Sequence, residues 1–271
     1  MRALPLLLLL LILAACALAK PEHATITTGD GRVWDLVWSD EFDTKGLPDP
    51  QRWGYEVGYI RNSELQLYTE ARQENARVED GTLIITSRKE PYQGYDYTSA
   101  SLQTSGTATW TYGRFEVRAK LPTGAGMWPA IWMLGANIDE VGWPHCGEID
   151  IMENVGYDPD TIHANVHTQA YNHVMGTNKG AVLYVANPDE DFHVYAIEWF
   201  EDHIDFFVDD TRYFTFENEG TGPATWPFDQ PFYLIINAAV GGSWGGQRGV
   251  IDSIFPQEYL IDYVRVYELQ Q

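Results

Sequence analysis

The sequence predicts an all-β protein, a two-sheet antiparallel β-sandwich, and three observations predict it. Helical periodicity is nearly absent. Alternation of apolar and polar residues with period two recurs along the chain. About a dozen short strand candidates, separated by turn residues, fill the region after residue 31. The chain has 271 residues, long enough to bury a full core without staples.

Taken in order, strands are expected at Val33–Asp40, Thr82–Arg88 and Leu102–Trp110. From Arg114 to Leu121, Phe115, Val117, Ala119 and Leu121 alternate with Glu116, Arg118 and Lys120. Further strands are expected at Ala130–Leu134, Gly147–Glu153, Ile162–His167 and Val182–Val185. Val194 to Phe216 holds three, broken by the turn pairs Glu201-Asp202 and Asp209-Asp210. The last fall at Phe232–Ala239 and around Val264 and Val266. No linker, repeat or low-complexity run interrupts this region, so residues 31–271 read as one domain. Residues 20–30 read as a short polar tether.

Residues 1–19 carry Arg2, an apolar run from Leu4 to Ala15, and then small residues. That is the pattern of an export signal, and the run is too short to span a bilayer comfortably. Two cleavage readings are open. Leu13-Ala14-Ala15-Cys16 has the form of a bacterial lipobox ending at Cys16, and Ala17-Leu18-Ala19 has the form of an ordinary signal-peptidase site. The small pair abutting a cysteine favours the lipobox. The expected location is extracellular, or the cell surface or outer membrane of a bacterium as a lipoprotein. Any membrane association would run only through the N-terminal lipid. Cys146 is then a lone thiol with acids nearby, expected to be packed and inert.

Composition narrows the partners. Seventeen Lys and Arg stand against 39 Asp and Glu, a net charge of −22. Such a surface repels phosphate backbones, anionic lipid heads and sulfated or carboxylated polymers, which leaves a neutral ligand or a cation. The ten Trp and sixteen Tyr suit sugar rings, although β-sandwiches also use aromatics for packing.

The stretch most informative about chemistry is Gly147-Glu148-Ile149-Asp150-Ile151-Met152-Glu153-Asn154. On a regular strand Glu148 and Asp150 share one face, and Ile149 and Ile151 share the other. Glu153 has the wrong parity and would enter the core, at a cost of several kcal/mol. One extra residue near Ile151-Met152, a β-bulge, returns it to the acidic face. Glu148 and Glu153 are then four regular positions apart, ~13 Å between Cα atoms at ~3.3 Å per residue, so side chains leaning inward meet at roughly 5–6 Å. That is the separation of a retaining glycosidase. Glu148 is assigned as nucleophile, Glu153 as acid/base, and Asp150 as the group that orients the nucleophile and tunes its proton. Three clustered acids cannot all ionise cheaply, so repulsion raises at least one pKa.

Residues 148–153 resemble the signature of glycoside hydrolase family 16, in the form with the additional Met that marks its laminarinase branch. Similar segments are Trp38–Phe42, Asn62–Thr69, Tyr112–Lys120, Gly126–Leu134, Asn237–Gly246 and Asp262–Tyr267, so the resemblance covers almost all of Val37 to Tyr267. It implies a β-jelly roll with a concave cleft, no catalytic cofactor, and retaining endo-hydrolysis of neutral β-1,3-glucan. A mixed-linkage β-1,3/1,4-glucanase, a transglycosylase and a non-catalytic glucan-binding lipoprotein are the alternatives. Sugar contacts are implied at Asn62, Glu64, Trp128, Trp132, His167 and Trp244, with His167 beside Glu153. A structural Ca²⁺ is implied at Glu41, Gly81 and Asp262. His163 and His167 share a face, but the glutamate of a His-Glu-x-x-His zinc site is missing. His145, His173, His193 and His203 are expected at the surface, and a monomer is the default.

Overall fold

The computed structural model of the protein describes residues 25–270. The export signal at 1–19 with Cys16, and the first part of the 20–30 tether, lie outside these residues. The strands are β1 (Thr25–Thr27), β2 (Val33–Asp40), β3 (Gly54–Glu56), β4 (Gln66–Tyr68), β5 (Ala76–Glu79), β6 (Thr82–Tyr92), β7 (Tyr95–Ser99), β8 (Ser101–Gln103) and β9 (Gly113–Lys120). They continue with β10 (Met127–Gly135), β11 (Glu148–Val155), β12 (Asp158–His167), β13 (Lys179–Tyr184), β14 (His193–Trp199), β15 (His203–Val208), β16 (Thr211–Glu217), β17 (Phe232–Val240) and β18 (Gln257–Leu269). A single α-helical turn occurs among the described residues, at Ile138–Val141. None of their helices is long and apolar enough to cross a membrane.

The strands form two sheets. One runs β16-β15-β14-β9-β18-β6-β7-β4, with β2 and β1 attached through β18 and β5 attached to β6. The other, which carries the cleft, runs β13-β12-β11-β10-β17-β8-β3. Pairing is antiparallel except between β4 and β7, which run parallel. The tether expectation needs correction at its end: Thr25–Thr27 pairs with Val33–Asp35, so the fold begins before residue 31. The strand expected over Leu102–Trp110 stops at Gln103. There Thr104 accepts the turn hydrogen bonds of Thr107 and Ala108, and Trp110 returns only for an isolated bridge to Phe232.

Alternation explains how the two sheets join. Ile162, Ala164 and Val166 of β12, Ile131 and Met133 of β10, and Leu234, Ile236 and Ala238 of β17 point inward. They meet Phe115, Val117 and Ala119 of β9 and Tyr195, Ile197 and Trp199 of β14 in one core. Each fully buried side chain of this size contributes about 1.5–3 kcal/mol. The tryptophans divide by role: Trp34, Trp53, Trp199 and Trp226 are buried in packing, whereas Trp128, Trp132, Trp143 and Trp244 line the cleft.

Candidate active site

The bulge lies where parity requires it. In the β11–β12 ladder Asp150 faces Asn165 and Glu153 faces His163, so Ile151 and Met152 together oppose one residue. The β10 ladder shifts at the same place, with Trp132 facing Asp150 and Ile131 facing Met152. Ile149, Ile151 and Met152 all enter the core. Glu148, Asp150 and Glu153 emerge together on the floor of a cleft of about 1060 Å³. Two consecutive apolar residues are thereby buried and the third acid kept out of the core, which offsets the interrupted ladder.

Indole N–H groups hold the two outer glutamates. Trp143 Nε1 donates to Glu148 Oε2 at 2.8 Å, and Trp128 Nε1 donates to Glu153 Oε1 at 3.0 Å. His167, 5% exposed, places Nε2 at 3.3 Å from Asp150 Oδ2 and 3.7 Å from Glu148 Oε1. His167 faces Glu148 across the ladder and His163 faces Glu153, while the charge of His167 acts on both glutamates. Glu148, Asp150 and His167 bring their oxygens and nitrogen within 4.8 Å of one another, the one such grouping of three potential metal donors among the described residues.

Burial governs the proton affinities. It pushes Glu148 up to about 8, with the charge of Asp150 adding to it and the His167, Trp143 and Arg61 side chains opposing it. Glu153 is pushed up to about 7 by burial and then by Glu148. Asp150, the most enclosed acid, lies well above its ordinary value because of burial and the charge of Glu153. When Asp150 carries a proton it no longer repels Glu148, and this lets Glu148 ionise.

The other expected contacts fall on the same cleft. Glu64 is buried and accepts from Gln66 Nε2 at 2.7 Å and Asn62 Nδ2 at 3.3 Å. Trp128 and Trp132 share the concave face of β10. They differ in freedom, however: Trp132 donates to Asn237 Oδ1 at 2.8 Å, and the Arg61 guanidinium covers its ring at 4.8 Å. Trp244 sits on the loop after β17 and packs edge-on against Trp128 at 5.5 Å and His163 at 4.8 Å. Gly242 within that loop has φ +77°, and a Cβ there would press on Glu64 and Trp128.

Trp143, Asn165, Asn237, Arg61 and Glu56 also line the cleft, and the sequence reading did not name them. Trp143 carried a signal, a large aromatic in the turn just before Glu148. The rest arrive by pairing across strands. His173 is exposed, as expected, but its ring lies 5.1 Å from both Trp143 and His167 at the cleft mouth. Cys146 is fully buried, and burial pushes its thiol up to about 11, which makes it a poor nucleophile.

The positions implied for calcium converge by register, since β18 pairs with both the end of β2 and the start of β6. Both Glu41 carboxylate oxygens accept from Arg265, at 2.8 and 2.9 Å. Arg118 takes Asp262 Oδ2 at 2.8 Å. The Glu41 side chain is thus spent, which leaves Asp262 Oδ1 and main-chain oxygens, Gly81 included, as donors for a hard cation.

Comparison with known proteins agrees with this geometry. A Rhodothermus marinus protein named Beta-glucanase is 58% identical over 243 residues, 86% of this chain and 85% of its own length. The solved laminarinase from Rhodothermus marinus superposes with a TM-score of 0.86 at 55% identity, over 88% of this chain and 98% of that one. The endo-β-1,3-glucanase of Pyrococcus furiosus gives a TM-score of 0.82 at 41% identity, over 91% and 98%. The sequence pattern of the Glycosyl hydrolases family 16 matches residues 63–265, and the chain belongs to that family of glycoside hydrolases.

Proposed function

We propose that the protein is a retaining endo-glycosidase that hydrolyses neutral β-1,3-glucan by double displacement. The observation that carries this reading is the bulged strand, which sets Glu148, Asp150 and Glu153 on one face at the floor of the cleft. In the first step Glu148 attacks the anomeric carbon, the glycosidic bond breaks, and Glu153 gives its proton to the departing oxygen. In the second step Glu153 takes a proton from water, the water oxygen bonds to the same carbon, and the ester to Glu148 breaks. Protonated Asp150 donates to Glu148 whenever that carboxylate is charged, before the attack and again as the ester breaks. Asn62, Glu64, Trp128, Trp132, His167 and Trp244 hold the sugar chain.

Rates on laminarin, lichenan, curdlan and agarose, measured side by side, test the substrate class, and laminarin should be hydrolysed fastest. Azide rescue of an activated aryl glycoside tests the roles. Glu148→Ala should yield the α-glycosyl azide and Glu153→Ala the β-azide, and full activity in Glu148→Ala would refute the nucleophile assignment.

The same proposal includes export directed by residues 1–19, with a lipid on Cys16. Fatty-acid labelling lost in Cys16→Ala would bear on the lipid. A monomer is proposed because one chain completes the cleft, and light scattering tests it. Calcium held by Asp262 Oδ1 and main-chain oxygens near Glu41 and Gly81 belongs to the proposal as a weak structural site.

A further inference from the structure

We propose that Val182 and Tyr184, on the outermost strand of the cleft sheet, bind the part of the glucan that leaves in the first step. The inference rests on the proposed retaining cleavage of β-1,3-glucan. β13 ends that sheet, two strands away from β11. Its register sets Gly180 against Asn165, Val182 against His163 and Tyr184 against Thr161. Ile162, Ala164 and Val166 of β12 enter the core, and Leu183 of β13 packs against it. The alternate residues Gly180, Val182 and Tyr184 therefore share the concave face. Gly180 and Val182 line the cleft beside His163, and Tyr184 continues their row along the edge.

These two side chains are apolar and left open. Val182 is 60% exposed and Tyr184 71%, which makes Tyr184 the most exposed Tyr, Trp or Phe among the described residues. Among those residues no ring contact or side-chain hydrogen bond engages it. An edge strand ordinarily carries charge, lysine above all, to keep other chains away. The concave face of β13 carries none, in a chain whose net charge is −22. Lys179 pairs with the core residue Val166 and so belongs to the opposite face, where its ammonium lies 4.7 Å over the Tyr171 ring. An uncharged aromatic platform beside an acidic cleft fits a neutral sugar ring. The surface is continuous with the catalytic row: Trp244 packs on His163 at 4.8 Å, and His163 faces Glu153 on one side and Val182 on the other.

Double displacement treats the two halves of the substrate differently. The half esterified to Glu148 must stay through both steps, and the other must depart before water enters. On the β10 and β17 side of the acids Trp132, Asn237 and Glu64 are buried, an enclosed wall for the half that stays. The exposed edge at β13 is the side from which a fragment can depart. Neighbouring strands lie about 4.8 Å apart, so β13 is about 10 Å from β11, which puts Tyr184 roughly two to three sugar residues beyond the bond that breaks.

The test uses laminarihexaose isotopically labelled at its reducing end, with the labelled fragment sized by mass spectrometry. Once the platform under the leaving half is lost, productive binding no longer gains from filling the distal site, and cleavage should move toward the reducing end. Tyr184→Ala should therefore shorten the labelled fragment. It should also lower kcat/KM on laminarin about fivefold more than on 4-nitrophenyl β-laminaribioside, whose leaving group is too short to reach β13. Tyr184→Trp should keep the original point of cleavage. Val182→Thr should give the same shift at smaller size, and it decides the matter alone if Tyr184→Ala fails to fold. A longer labelled fragment would place the site under the half that stays, and unchanged fragments would remove it; either overturns the proposal. So would light scattering that finds the unaltered protein dimeric and Tyr184→Ala monomeric, since the face would then belong to a second copy of the chain. If the unaltered protein cleaves neither laminarin nor laminarihexaose, the assignment of function has failed instead.

Discussion

Replacing Trp143 with phenylalanine removes one hydrogen atom of consequence, the indole N–H that reaches Glu148 Oε2 at 2.8 Å. Phenylalanine keeps most of the aromatic body that packs beside Cys146 and Tyr233 on the concave face. A hydrogen bond to a charged group is worth about 1.5–3 kcal/mol. One pKa unit corresponds to about 1.36 kcal/mol, so losing the donor should raise the proton affinity of Glu148 by about one to two units. The pull of His167 and Arg61 on Glu148 remains. Attack requires ionised Glu148, so the limb of kcat/KM on laminarin that reports Glu148 should move to higher pH by that amount. The limb set by Glu153 should stay in place. Glu148 is also the leaving group of the second step, and a less stabilised carboxylate leaves more slowly. On an activated aryl substrate, kcat should therefore fall while the formation of glycosyl-enzyme is spared. A profile in which neither limb moves, or a loss equal at every pH, would refute the role given to this hydrogen bond.

Other consequences follow from the same geometry. The proton affinities of Glu148 and Glu153 are raised on folding to about 8 and 7. The native state therefore holds protons that the unfolded chain releases, and stability should fall as pH rises from about 4.5 to about 8. Glu148→Gln should accordingly raise Tm by several degrees at pH 8.5 and by little at pH 4, where calorimetry showing equal gains would refute the linkage. Deleting Met152 leaves Glu-Ile-Asp-Ile-Glu, with all three acids on one face without a bulge. Laminarin hydrolysis should persist at reduced stability, whereas deleting both Ile151 and Met152 turns the last glutamate into the core and should abolish it. Equal activity in the two deletions would contradict the parity argument. Calcium held by the donors left near Asp262 should raise Tm only at roughly millimolar concentration, and a shift at micromolar Ca²⁺ would show a stronger ligand set.

The three acids were legible because strand parity is local. Six residues and the cost of burying a carboxylate were enough to require a bulge at Ile151-Met152, and both ladders shift there. The long strands were legible for the same reason, β2 at its observed limits. The short strands β3, β4, β5 and β7 span three to five residues, too few for alternation to register. Their pairing is set by neighbours far along the chain. The second layer of the site was hidden in the same way: Asn237 reaches Trp132 across 105 positions of sequence, and Asn178 reaches Asn165 only because β12 and β13 align. For His167 family likeness supplies a place beside the acids, whereas only the register shows that Glu148 is the one it faces.

The acidity of the chain and the chemistry of its cleft have a common cause. Glu56, Glu64, Glu148, Asp150 and Glu153 line the cleft, and Arg61 is the only lysine or arginine among the lining residues. Arg61 is already committed to an ion pair with Glu56 and to the face of Trp132. An anionic polymer entering here would bring further negative charge to Glu148, Asp150 and Glu153, whose proton affinities burial already raises because water cannot solvate their charges. A neutral sugar chain brings no such penalty. By displacing the remaining water it strengthens the retention of a proton on Glu153 until the glycosidic oxygen takes it. Selection for an uncharged substrate and loading of the general acid are thus two effects of the same desolvated cluster of carboxyls.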